Sequence, residues 1–151
     1  MTFDFTPTGL FRARHLRFKR LWLAFGLLLV SGVTYASVAS VPAQVTTLVF
    51  NDKLTHVAVY ACLMGWFSQI FRHDLTRLIF VVLLSGMGIG IEFIQAATPT
   101  RNFEVLDMIA NTSGVVLAWA LAYTWVGTVL WRAESFVFGA TESGSSEGAA
   151  A

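Results

Sequence analysis

The chain has 151 residues, 56% of them hydrophobic and 13% charged, with a formal net charge of +1. Soluble domains average roughly 45–50% apolar and about 25% charged residues, so a water-covered globule is excluded and nucleic acid is not an expected partner. One cysteine, Cys62, leaves no intramolecular disulfide and no cysteine-based metal site. The expectation is a one-domain, all-α, polytopic integral membrane protein.

A hydrocarbon core of about 30 Å takes roughly 20 helical residues. After a basic tail over 1–20, the run Leu21–Val41 meets that length and stops at Pro42. Residues 42–50 are apolar but too short to span, and read as an interfacial or re-entrant piece. A second run, Leu54–Phe71, ends at Arg72-His73-Asp74, and a third, Leu78–Ala97, ends at Thr98-Pro99. The fourth starts near Val105 and continues to Trp131, ahead of Arg132. Short connections predict an antiparallel four-helix transmembrane bundle over 21–131. Small polar residues dominate 132–151, which predicts a disordered tail. The basic start and Ala36-Ser37-Val38-Ala39 also resemble a cleavable secretory signal; the apolar run is long for one, and an uncleaved anchor is the reading adopted.

Lys and Arg fix the expected orientation. Arg12, Arg14, Arg17, Lys19, Arg20, Arg72, Arg77 and Arg132 fall on one side; Lys53 and Arg101 fall on the other. Both termini are therefore expected in the cytoplasm. Trp22 and Trp131 sit at the inner boundary, where aromatic belts form.

The stretch NDKLTHVAVY places ionisable groups at the outer end of the second run. Asp52, His56 and Tyr60 follow at i, i+4, i+8 and share one helical face. Glu92 and Gln95 are neighbours three apart in the last turns of the third run. Asp107, Asn111 and Gly114 form a third stripe in the first turns of the fourth. Three polar stripes thus reach one depth, and charged groups inside spans pair with one another or line a cavity. Lys53, His56 and Arg101 are the available partners for Glu92 and Asp107, with Arg101 the first choice for Glu92. Helix capping by Asp52, snorkelling by Lys53, or a static packing network are the plainer readings. Gly86 and Gly90 have small-xxx-small spacing and read as helix-packing positions. Cys62 lies off the polar face and reads as a small buried hydrophobe.

DKLTHVAVYACL, then EFIQ, then TRNFEVLDMIANTSG resembles the VanZ-like membrane protein family. The matching positions are Asp52, Lys53, His56, Tyr60, Glu92, Gln95, Arg101, Asp107, Asn111 and Gly114, within residues 20–131. Phe103-Glu104 departs from the pattern, where a small polar residue is expected. The resemblance implies a multi-pass protein of a bacterial cytoplasmic membrane and a link to resistance to the glycopeptide antibiotic teicoplanin. It leaves the chemistry open.

Two functions stand side by side. In the first, an outward-facing polar pocket binds or modifies an amphiphilic envelope component, a membrane lipid or a lipid-linked precursor. His56 is then the candidate acid/base, oriented by Asp52 or Glu92, while Lys53 and Arg101 hold an anionic group and Tyr60, Gln95, Asp107 and Asn111 complete the walls. No Ser or Cys lies in the stripes, which disfavours a covalent mechanism. In the second, the protein is a non-enzymatic factor that binds a lipid, drug or partner protein, with the polar set stabilising helix packing. No cofactor or metal is assigned, and a homo-oligomer stays open. A transporter is disfavoured, because the inner half of the spans offers no ionisable group.

Overall fold

The computed structural model describes residues 16–39, 52–97 and 103–147, with side chains described as far as Phe138. Its elements are α1 (Lys19–Val38), α2 (Asp52–Ile70), α3 (Asp74–Ala96), α4 (Val105–Leu121), a 3-10 turn (Trp125–Thr128) and α5 (Val129–Glu147). No strand occurs among the described residues. The expected interfacial piece at 42–50, and Arg101, lie outside them.

The centre of the fold is α2. Tyr60, Leu63, Met64, Phe67 and Ser68 are buried at 3–4 residue spacing, which marks one helical face turned inward. Against that face pack α4, most extensively, then α1 and α3. Two glycines set the closest approaches. A Cβ on Gly114 would stand 2.2 Å from the Val57 carbonyl oxygen, so the α2 and α4 backbones touch there. On α1, a Cβ on Gly26 would meet the Trp66 ring at 2.8 Å, and Trp66 Nε1 donates to the Trp22 carbonyl at 3.0 Å. Phe80 of α3 stacks on Phe67 and Phe71, with centroids 4.4 and 5.3 Å apart.

Two helices, α1 and α3, are long and apolar enough to cross a membrane. The other expected spans differ from the sequence reading. α2 is too polar at its ends, with Asp52, Lys53 and His56 in its first turns and Ser68 and Gln69 in its last. The fourth run is not one straight helix: α4 stops at Leu121, and it passes as a span only together with residues 125–138, from which it is bent by 76°. Gly127 permits the turn, since a Cβ there would lie 2.1 Å from the Ala122 carbonyl oxygen. Backbone groups released at the break are met by Gln69 of α2. Its Nε2 donates to the Val126 carbonyl at 2.5 Å, and its Oε1 accepts from Leu130 N at 3.1 Å.

The first part of the stretch 132–151, read above as a tail, lies in α5, which runs to Glu147. Glu134 is buried and accepts from Arg17 N (2.8 Å), Phe18 N (3.3 Å) and Trp22 Nε1 (2.6 Å). Its carboxylate thus serves the otherwise unpaired N–H groups at the start of α1, a favourable place for negative charge.

Gly86 and Gly90 meet nothing within 4 Å; the tight glycine of α3 is Gly88, where a Cβ would lie 3.0 Å from Asn111 and 3.2 Å from Tyr60. Cys62 is exposed rather than buried, because it points away from the α2 face that carries the core.

Candidate functional site

Antiparallel packing brings the first turns of α2, the last turns of α3 and the first turns of α4 to one end of the fold. Lys53 reaches from α2 across to α4, where its Nζ donates to the carboxylates of Asp107 and Glu104, and Asp52 lies 3.6 Å away.

One turn further in, His56 Nδ1 lies 3.0 Å from Asn111 Oδ1. Nε2 turns toward two carboxylates, Asp107 Oδ2 at 3.6 Å and Asp52 Oδ1 at 3.8 Å. Asn111 is 1% exposed and is wedged against Gly88, so its amide is a fixed reference for the imidazole. The His56 side chain keeps 24% of its exposure and that of Asp52 67%, so this side of the ring is reachable from outside. Ligand atoms of Asp52, His56 and Asp107 all lie within 4.8 Å of one another.

Beneath this layer lie Glu92 and Tyr60. Glu92 is 1% exposed; its Oε2 accepts from Glu104 N at 3.4 Å, and its Oε1 has no hydrogen-bond partner among the described residues. The Tyr60 hydroxyl is likewise buried and unpartnered there. The cation expected beside Glu92 is not Lys53, which serves Asp107 and Glu104 instead; Arg101, the first choice, is outside the described residues. Gln95 turns away from the cluster and donates to the Ser37 carbonyl at 2.8 Å, tying α3 to the last turn of α1.

The structure therefore brings together Asp52, Lys53, His56, Asp107 and Asn111, with Glu92 and Tyr60 beneath, and gives Gln95 to a helix end. Sequence reasoning missed Glu104. It lies in the loop before α4, where helical periodicity gives no signal, and it is the residue that departs from the family pattern. Its carboxylate holds Lys53 while its N–H holds Glu92, so it joins the outer and inner layers.

The protein-family model described as VanZ/LLP1 matches residues 4–127. An uncharacterized protein of Schizosaccharomyces pombe is 28% identical over 103 residues, which are 66% of this chain and 60% of that protein. The chain thus spans less than two thirds of that relative's length. No solved structure matches. The matched region contains every residue of the polar cluster and both apolar helices, and the chain belongs to the VanZ/LLP1 family.

Proposed function

We propose that the cluster at the ends of α2, α3 and α4 receives the polar head of an amphiphilic membrane component on the extracytoplasmic side, in a four-span topology with both termini cytoplasmic. In that topology α2 is the shielded central span, since its polar ends lie at the two interfaces and its apolar middle is covered by its neighbours. The observation that carries the reading is His56. Its ring is oriented by a buried asparagine, faces carboxylates from two helices, and stays partly open to the outside. An imidazole so held can pass a proton to or from a bound head group. Headgroup depth makes a lipid or lipid-linked precursor the natural ligand, and a relative from a fungus favours an amphiphile common to bacterial and fungal membranes.

The test is lipid mass spectrometry on the purified chain. One lipid class is expected to be enriched over the bulk membrane, and His56→Ala, Glu92→Gln and Asp107→Asn should each reduce that enrichment at least about tenfold while the protein still inserts. His56→Gln separates chemistry from binding, because it retains a hydrogen-bonding group and loses the proton relay. Lipid content identical to the bulk membrane would sink the reading. In a teicoplanin-susceptible bacterium, expression is expected to raise survival and His56→Ala to remove the gain. For the orientation, cysteine placed at Thr100 in a Cys62→Ser background should react with an impermeant reagent in whole cells, and cysteine at Ser145 should not.

A second reading rests on the Lys53 bridge between α2 and α4. There the polar set fixes helix packing in a non-enzymatic membrane factor. Variants at His56, Glu92 and Asp107 would then lower accumulation and leave lipid content per molecule unchanged.

A further inference from the structure

We infer that Asp52, His56 and Asp107 form a binding site for one divalent metal ion of the zinc or manganese class. Three observations converge on it. The first is the direction of the imidazole. Asn111 Oδ1 lies 3.0 Å from Nδ1, and Nε2 faces Asp107 Oδ2 and Asp52 Oδ1 at 3.6 and 3.8 Å; the tautomer with its proton on Nδ1 turns a lone pair toward both. Those separations exceed the roughly 2.7–3.2 Å of an N–H···O bond. They are close to the roughly 3.3–3.6 Å between two ligands of a tetrahedral ion with bonds of about 2.0–2.2 Å. An imidazole with its distal nitrogen hydrogen-bonded is the ordinary state of a metal-bound histidine, and Asn111 supplies that outer bond.

The second observation is charge. Asp52, Asp107, Glu104 and Glu92 crowd one end of the fold, and Lys53 is the ammonium among the described residues that answers them. Lys53 takes one oxygen of Asp107 and leaves the other facing His56. The third is Glu92. Its 1%-exposed carboxylate interacts electrostatically with Asp107, His56 and Lys53, and one of its oxygens has no hydrogen-bond partner among the described residues. A cation held by Asp107 and His56 would act on that carboxylate as well. One nitrogen and two carboxylate oxygens suit zinc or manganese, and three protein ligands leave a position open to the outside.

This inference deepens the proposed function, on which it rests for the ligand alone, and gives His56 a different task there: with Nδ1 on Asn111 and Nε2 on the ion, it holds the metal rather than passing a proton. An acid-rich cluster repels a phosphate-bearing head, whereas a metal ion in its mouth attracts one. Metal binding itself is measured without lipid.

The full chain in detergent is titrated with Mn²⁺, and free Mn²⁺ is followed by electron paramagnetic resonance. One ion per chain is expected, displaced by Zn²⁺. Asp52→Asn and His56→Gln should each weaken binding at least tenfold, while Glu134→Gln, at the opposite end, should not. Asp52→Asn is the decisive variant: its side chain is largely exposed, and a thermal melt beside each titration verifies the fold. No binding above the detergent blank overturns the inference. So does stoichiometric binding that Asp52→Asn and His56→Gln leave unchanged, since the ion would then sit elsewhere. A parallel arm measures phospholipid enrichment with and without chelator. Metal binding without lipid enrichment removes the proposed ligand and keeps the ion site; enrichment that ignores both chelator and Asp52→Asn, with no Mn²⁺ bound, does the reverse.

Discussion

The two ends of the fold use polar residues in opposite ways. At the end near Phe71, side chains serve the main chain. Arg77, buried, donates from Nε to the Phe71 carbonyl at 3.0 Å and from Nη2 to the Ser68 carbonyl at 3.2 Å, satisfying the last turn of α2. Gln69 patches the break before α5, and Glu134 the start of α1. At the other end, the central bonds run between side chains: Lys53 to two carboxylates, His56 to Asn111, and buried oxygens of Glu92 and Tyr60 left without a partner among the described residues. Where backbone groups at helix ends cannot reach water, they must be met internally, and the first set does that work. The second set does something a helix end does not require. Buried polar groups left unmet are the costly exception in a folded protein; those of Glu92 and Tyr60 lie under one half-open surface, while Ser68 Oγ and His73 Nδ1 at the other end are unmatched single groups among the described residues.

The comparison breaks first on packing. Gly114→Ala puts a methyl group onto the Val57 carbonyl, backbone against backbone, and should cost about 3 kcal/mol or more in a melt of the solubilised protein. Gly86→Ala, with open space around it, should stay within about 0.5 kcal/mol. A smaller loss, about 2–3 kcal/mol, is expected for Arg77→Met, which strands two carbonyls at the end of α2. Lipid content per surviving molecule should not change. A loss of lipid binding at full stability would place Arg77 with the opposite end and erase the contrast. Smallest is the effect of Asp52→Asn on stability, within about 0.5 kcal/mol for so exposed a group. A destabilisation of several kcal/mol there would mean that the cluster is a packing device after all.

The polar stripes were legible because an α-helix repeats every 3.6 residues, so Asp52, His56 and Tyr60, or Asp107, Asn111 and Gly114, declare a shared face without any structure. That they meet at one end of the fold followed from chain direction alone. What stayed hidden depends on which face meets which neighbour. Gly88 rather than Gly86 or Gly90 is the tight position because α3 turns that side to Asn111 and Tyr60, and spacing alone does not rank the three. Gln69, Arg77 and Glu134 read as ordinary boundary residues, since the groups they satisfy exist only once α2 ends, α4 breaks and α1 begins. For the break itself the sequence offers Gly127 and no proline, so an apolar run across it reads as one span.

The 76° turn after α4 decides where the C-terminal part of the chain goes. α5 leaves α4 at a steep angle, a raft to its mast. Trp131, Phe136 and Val137 are all exposed, and at about 100° per residue they look out on different sides of α5. Glu134 moors this raft to the start of α1 through Arg17, Phe18 and Trp22. Leu130 N, bonded to Gln69 Oε1, moors it also to α2, the helix whose other end carries the polar cluster.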